Sequence, residues 1–299
     1  MQFLAFAFIY PFLWLISKLP MKILYLKSSI FYYITFYIFR YRKTVVLNNL
    51  KLAFPDKNLE DLLKIRKKFF KHFMDSMVET IKAISISKKE IAKRYTYKNA
   101  ALLEKYVKEG KSIALLGAHQ GNWEWIAGLP LYTSANIFGS YKHIRNAFFN
   151  NLVTKTRSKF GITLFESKQI VKAIHRNFST NKHGAYVLIS DQSPMLTKKM
   201  YWSNFFNVKV PIHAGAEAMA KKFDLVVLNW SVTKIKRGYY NAEFTVITEK
   251  PKEEEKNFIT EKYLELTENQ IKKQPECYLW SHKRFKHKDR FEDWQKENL

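Results

Sequence analysis

The chain has 299 residues, with 51 Lys and Arg against 26 Asp and Glu, a formal charge of +25. That excess admits nucleic acid, an anionic lipid surface or an acidic protein as partner, while 47% hydrophobic and 16% aromatic content exclude a disordered basic tail. Its one cysteine, Cys277, excludes an intrachain disulfide and a cysteine zinc cage and suits a reducing compartment such as the cytoplasm.

Residues 1–17, MQFLAFAFIYPFLWLIS, carry no charged side chain. They are short for a membrane span, which needs about 20 residues, and Pro11 falls mid-segment. A second apolar stretch, SSIFYYITFYIF, covers residues 28–39. Lys18, Lys22 and Lys27 separate the two, and Arg40, Arg42 and Lys43 follow. A cleavable signal peptide requires a basic start and a small-residue cleavage site, and neither is present. A buried core helix is one alternative. The reading preferred here is a membrane anchor or in-plane helix, with the basic residues placing the rest of the chain in the cytoplasm.

Residues 58–84 predict a long helix, with Leu62, Ile65, Phe69, Phe73, Met77 and Ile81 as its core stripe. Residues 112–117 (SIALLG) and 185–190 (AYVLIS) predict buried strands, as do 225–232 and 242–247. A helix is expected to start at 123–129. Others are expected over 144–160, 168–177, 214–223 and 257–273. No Pro/Gly/Ser-rich linker divides the chain and no repeat is found. We therefore expect an N-terminal membrane-associated helical segment over 1–45 and one catalytic domain over 46–299. The latter is α/β, with a central, mostly parallel sheet flanked by helices. Sites in such sheets gather beyond the C-terminal ends of strands, where His119 and Asp191 both fall.

His119-Gln-Gly-Asn-Trp-Glu124 leaves the first of these strands directly. A carboxylate five residues after a histidine can fix the ring tautomer and free the other nitrogen to take a proton from a hydroxyl, as a general base. The same spacing also arises when a glutamate merely holds a structural histidine. His72, His143, His175 and His183 are scattered and read as surface positions. His282 and His287 lie in a basic C-terminal run and read as facing water or headgroups. No Gly-x-Ser-x-Gly elbow, P-loop or dinucleotide fingerprint occurs, and possible metal ligands lack paired spacing. No metal and no cofactor is expected. The aromatics cluster in apolar stretches and not in a nucleic-acid-binding motif, so no nucleic acid is expected either.

The segment GAHQGNWEW (117–125) resembles the His-x4-acid block of the lysophospholipid acyltransferase superfamily. More narrowly, HQGNWE is similar to the form found in the lipid A late acyltransferases, the lauroyl/myristoyl family. Four further blocks agree in order. RYRKTVVLNNLKLAFP (40–55) carries Asn49, Phe54 and Pro55, and YKHIRN (141–146) carries Arg145. SDQ (190–192) is followed by FFNVKVP (205–211), and PECYLWSHKRFK (275–286) ends in basic residues. The sequence departs from the family pattern at Asn207, where Gly is expected, at His213, where a small or hydroxylated residue is usual, and at Lys283, commonly Arg.

The resemblance implies a glycerolipid-acyltransferase-like fold on the cytoplasmic face of the inner membrane. It implies transfer of a fatty acyl chain from acyl carrier protein to a hydroxyl of a lipid A precursor, without a covalent acyl-enzyme. His119 would be the base and Glu124 its orienting partner. Arg145 would stabilise an oxyanion or grip a phosphate. Asp191 matches a family residue of functional importance, its role left open between catalysis and a helix cap. Gly121, Asn122, Trp123 and Gln192 would lie against substrate. The acidic donor protein and phosphorylated lipids would then account for the basic surface. The runner-up is an acceptor of another kind within the superfamily, such as an aminolipid, glycolipid or lysophospholipid, which nothing in the sequence excludes.

Overall fold

The computed structural model describes residues 2–298; Met1 and Leu299, at the ends of the two expected segments, lie outside them. Seven strands form the central sheet: β1 (Tyr95–Tyr97), β2 (Ile113–Gly117), β3 (Asn136–Tyr141), β4 (Thr163–Glu166), β5 (Gly184–Ile189), β8 (Val226–Lys236) and β9 (Tyr239–Thr248). Their spatial order is β1-β9-β8-β2-β5-β3-β4. All neighbours pair parallel except β8 and β9, which form an antiparallel hairpin. A separate antiparallel hairpin joins β6 (Tyr201–Phe205) to β7 (Val208–Ile212). Its two-residue turn is Phe206-Asn207, both at positive φ. Such a turn favours Gly or Asn, so Asn207 meets the backbone need that Gly would.

Strand β2 is apolar at every position because both sheet faces are covered. Ala114 and Leu116 point into one core with Phe69 and Phe70 of α4 (Leu59–Ala83) and Ala220 and Phe223 of α9 (Gly215–Phe223). Tyr263 of α10 (Phe258–Lys273) completes that side. Ile113 and Leu115 point into the other, with Ile91 of α5 (Lys88–Arg94), Leu103 and Tyr106 of α6 (Ala101–Lys108), and Trp125. Helix α7 (Ala147–Ser158) falls within the expected segment 144–160, and α8 (Ile170–Ser179) overlaps the expected 168–177 and runs two residues past it. The sequence reading missed β1, β3, β4 and the small hairpin.

The N-terminal segment forms α1 (Gln2–Lys18), α2 (Met21–Tyr33) and a π-helical turn, Ile34–Ile38, before α3 (Lys43–Ala53). Among the described residues no helix is long and apolar enough to cross a membrane. Tyr25 and Ser28 of α2 donate to Glu79 and Asp75 of α4 at 2.7 and 2.6 Å. Lys82 and Ser85 donate to Ser17 O at the end of α1. The outer surface stays apolar, with Phe8 72%, Leu26 65% and Phe39 75% exposed.

Helix α4 departs from the expected stripe. Leu62 and Phe69 are buried, Ile65, Phe73 and Ile81 are half-buried, and Met77 is exposed. Its most deeply buried turns also hold polar side chains: His72, Asp75, Ser76 and Glu79.

Candidate active site

Parallel strands in register bring together the residues that follow them. Gly117 ends β2 opposite Ile189 of β5, so His119 and Asp191, each two residues further on, emerge side by side. Gly117 has to be glycine, because a Cβ there would stand 2.2 Å from the Trp230 ring. The C-terminal block runs alongside as a strap. Leu279 N donates to His119 O, Gly121 N donates to Cys277 O, and Gln120 bridges to Tyr278. Asn49 fixes that strap from α3, donating to the carbonyls of Trp280 and His282 at 2.8 Å each. Three blocks distant in sequence thus converge on one loop.

Asp191 is only 1% exposed and takes two hydrogen bonds from His119: the backbone N–H at 3.2 Å and ring Nδ1 at 2.8 Å. With Nδ1 protonated, the lone pair of His119 lies on Nε2, where the Gln192 amide stands at 3.3 Å. The Trp123 ring packs edge-on against the imidazole. Burial pushes the His119 pKa down, but the charge and hydrogen bond of Asp191 outweigh it and hold it above its ordinary value. Burial alone would raise Asp191, yet the charge and hydrogen bonds of His119 hold it below the usual carboxylate range.

His119 lines a cleft of about 770 Å³. Trp123, Glu124, Arg157, Gln192 and His213 share its polar part, and Ile126, Ile162, Leu164 and Val187 supply apolar wall. Beside it lies an apolar cavity of about 200 Å³ formed by α1, α4 and α7, which also reaches Glu124, Ala127 and Arg157.

Several expected placements differ. Glu124 is not the hydrogen-bonding partner of His119. Its two oxygens receive Nε and Nη2 of Arg157 at 2.8 and 2.5 Å, although its charge still helps raise the His119 pKa. The reason is local: Asn122 caps the 3₁₀ turn Trp123–Leu131 by accepting from Trp125 N, and that turn swings Glu124 toward α7. Arg145 lies exposed on the loop before α7 and does not line the cleft. The guanidinium in the cleft belongs to Arg157, which the sequence reading missed. Its signal was its place on the α7 face shared with buried Asn150 and half-buried Val153. Gly121 and Asn122 are buried behind the loop and do not face the cleft. Gly121 adopts φ +60°, and a Cβ there would meet Val232 at 2.8 Å. Trp123 and Gln192 do line the cleft.

His72 is buried, with its Nε2 facing Gly121 O at 3.3 Å; His143 and His175 are exposed and His183 is half-buried. His282 is half-buried too, and does not simply face water. Its Nε2 accepts from Ser193 N at 3.0 Å, and burial pushes its pKa down to about 4.

An imidazole backed by a buried carboxylate and open to a half-apolar cleft can, in its neutral form, remove a proton from a hydroxyl held beside it. No curated protein matches the chain. The sequence model of one family, bacterial lipid A biosynthesis acyltransferase, matches residues 2–287. With that match over nearly its whole length, the chain belongs to the bacterial lipid A biosynthesis acyltransferase family and is an acyltransferase.

Proposed function

We propose that the protein transfers a fatty acyl chain from an acyl carrier protein thioester to a hydroxyl of an acylated glucosamine lipid, a lipid A precursor. The observation that carries this reading is His119, whose Nδ1 is held by Asp191 and whose Nε2, met by the Gln192 amide at 3.3 Å, lies on a cleft with an apolar wall. His119 takes the acceptor's proton as its oxygen attacks the thioester carbonyl. Asp191 holds the tautomer and stabilises the imidazolium. The tetrahedral intermediate collapses with C–S cleavage, and the imidazolium returns the proton to the departing thiolate.

Arg157 stabilises the developing oxyanion. A guanidinium has five N–H donors, and Glu124 engages only Nε and Nη2 of Arg157. Glu124 therefore acts by aiming Arg157, and reaches His119 only through its charge. The acyl chain lies along Ile126, Ile162 and Leu164 and continues into the adjoining apolar cavity. Arg145 shares its loop with Lys142 of the cleft rim, where phosphate recognition fits.

The exposed apolar face of α1, α2 and the π-helical turn lies beside Lys18, Lys22, Lys27, Arg40 and Lys43. Apolar area flanked by cations suits in-plane docking on an anionic leaflet. We assign the chain on this basis to the cytoplasmic face of the inner membrane.

The test offers the purified protein an acyl carrier protein thioester with acylated glucosamine disaccharide, an aminolipid or a lysophospholipid, and identifies products by mass spectrometry. Acylation of the disaccharide supports the reading. Acylation of another lipid with the disaccharide untouched rejects the acceptor.

A further inference from the structure

A second buried carboxylate sits behind the catalytic loop, and the chemistry described so far does not use it. Glu79, near the C-terminal end of α4, is 0% exposed. Its Oε1 accepts from Tyr25 of α2 at 2.7 Å. Its Oε2 accepts from Asn122 Nδ2 at 2.8 Å and from Tyr240 of β9 at 2.9 Å. Its backbone carbonyl accepts from Trp125 Nε1 at 3.3 Å.

These bonds meet at the turn that carries Trp123 and Glu124. The Asn122 amide is committed at both ends, with Nδ2 donating to Glu79 and Oδ1 accepting from Trp125 N. Two turns earlier on α4, His72 supports the preceding residue. Lys234 Nζ stands at its Nδ1, leaving Nε2 to donate to Gly121 O. The same α4 face therefore grips Gly121 and Asn122 in succession, midway between His119 and Glu124. Replacing a buried carboxylate by an apolar side chain would have been the simpler solution. Three convergent donors explain its presence, since a carboxylate accepts them all with its two oxygens.

We propose that Glu79 is a positioning residue for acyl transfer: by fixing the Asn122 amide it sets where the loop from His119 to Glu124 sits, and through Tyr25 it ties the N-terminal helices to the same point. The assignment rests on the general-base reading of His119. The coupling gives a physical route by which membrane docking of α2 is felt at the site.

Ionisation of Glu79 then bears on turnover. Burial raises its pKa to about 7; the Tyr25 hydrogen bond opposes this, Asp75 on α4 adds to it, and Tyr240 and Lys234 on β9 and β8 oppose it. Protonated, it no longer accepts from all three donors.

The experiment is steady-state kinetics on the full chain with an acyl carrier protein thioester and acylated glucosamine disaccharide, from pH 6 to 9, for wild type, Glu79→Gln, Glu79→Met and a His119→Ala control. Glu79→Met should lower kcat at least about tenfold, because small displacements of catalytic groups cost that much or more, with KM for the donor within about twofold. Glu79→Gln can still accept from Asn122 and Tyr240, and should recover kcat to within about threefold. Protonation of Glu79 in wild type should cost no more than the same threefold, so Glu79→Gln should remove a shallow step near the Glu79 pKa of about 7 and leave the His119 limb alone. Folded Glu79→Met with the kcat of Glu79→Gln overturns the proposal while leaving His119 as base. If His119→Ala turns over like wild type, the general-base reading falls, and the role of Glu79 with it. Should Glu79→Met fail to fold, the Tyr25→Phe/Tyr240→Phe double variant strips two donors. The shallow step set by Glu79 should move to higher pH while the His119 limb stays in place, and an unmoved step overturns the proposal.

Discussion

Asp191→Asn isolates what the buried carboxylate does for His119. The change keeps the shape of the side chain and removes the charge facing Nδ1 at 2.8 Å. A hydrogen bond to a charged group contributes about 1.5–3 kcal/mol, which corresponds to about 10- to 150-fold in rate if it is lost in the transition state, where the ring is cationic. A second loss adds to this. An amide NH₂ turned toward Nδ1 selects the tautomer protonated on Nε2, which cannot accept a proton. The expected fall in kcat is therefore at least about 10², and a tautomer reversal of this kind extends it toward about 10⁴. The pH profile gives an independent sign. Wild-type kcat should rise with pH through a His119 pKa above the ordinary value, because the proposed base is the neutral ring. Without the Asp191 charge that pKa drops, so the acidic limb of the variant should move to lower pH. Thiol release from the acyl carrier protein, followed from pH 5.5 to 9, reads both quantities. A kcat within threefold of wild type on an unmoved limb would refute the coupling.

Other consequences are open to measurement. Arg157→Lys keeps a cation but loses the fork that engages both Glu124 oxygens; kcat should fall by about 10²–10³, the usual loss of an oxyanion donor, and a loss confined to KM would reassign Arg157 to binding. Glu79, with a native pKa near 7 against an ordinary 4.5, keeps a proton in the folded state through a window in which the unfolded chain releases it. Stability from this group is therefore full at low pH and declines by about 3 kcal/mol as pH rises through that window. In denaturant titrations, Glu79→Gln should gain on wild type by that amount between pH 4.5 and 8, and a pH-independent difference contradicts the reading. Replacing Phe8, Leu26 and Phe39 with Ser removes exposed apolar area. Flotation with anionic vesicles should weaken by at least tenfold with Tm unchanged; undiminished binding places the membrane surface elsewhere.

The sequence made some of this architecture legible and hid the rest for identifiable reasons. Strands β2, β5 and β8 are buried on both faces and announce themselves as short apolar runs. Strands β3 and β4 are edgeward, contain Asn, Gly, Ser and Thr, and lack that signature. His119 was visible as a strand-end residue, and so was Asp191. Their pairing was not, because it depends on β2 and β5 being neighbours, a long-range fact that no local pattern encodes. The assignment of Glu124 to His119 followed proximity in sequence; the cap made by Asn122 redirects that side chain to Arg157. On α4, His72, Asp75, Ser76 and Glu79 recur at the same three- and four-residue spacing as the apolar stripe. Polar residues at core spacing were the available sign of a buried network, and the rule that polar side chains face water concealed it.

The claim on which the account depends is that His119 Nε2 removes the acceptor's proton. The most direct measurement is turnover of His119→Ala with an acyl carrier protein thioester and acylated glucosamine disaccharide under saturating conditions, alongside a thermal melt showing intact fold. The account predicts a fall in kcat of about 10² or more, the usual worth of a positioned base, with donor KM little changed. Folded His119→Ala turning over at the wild-type rate would contradict it.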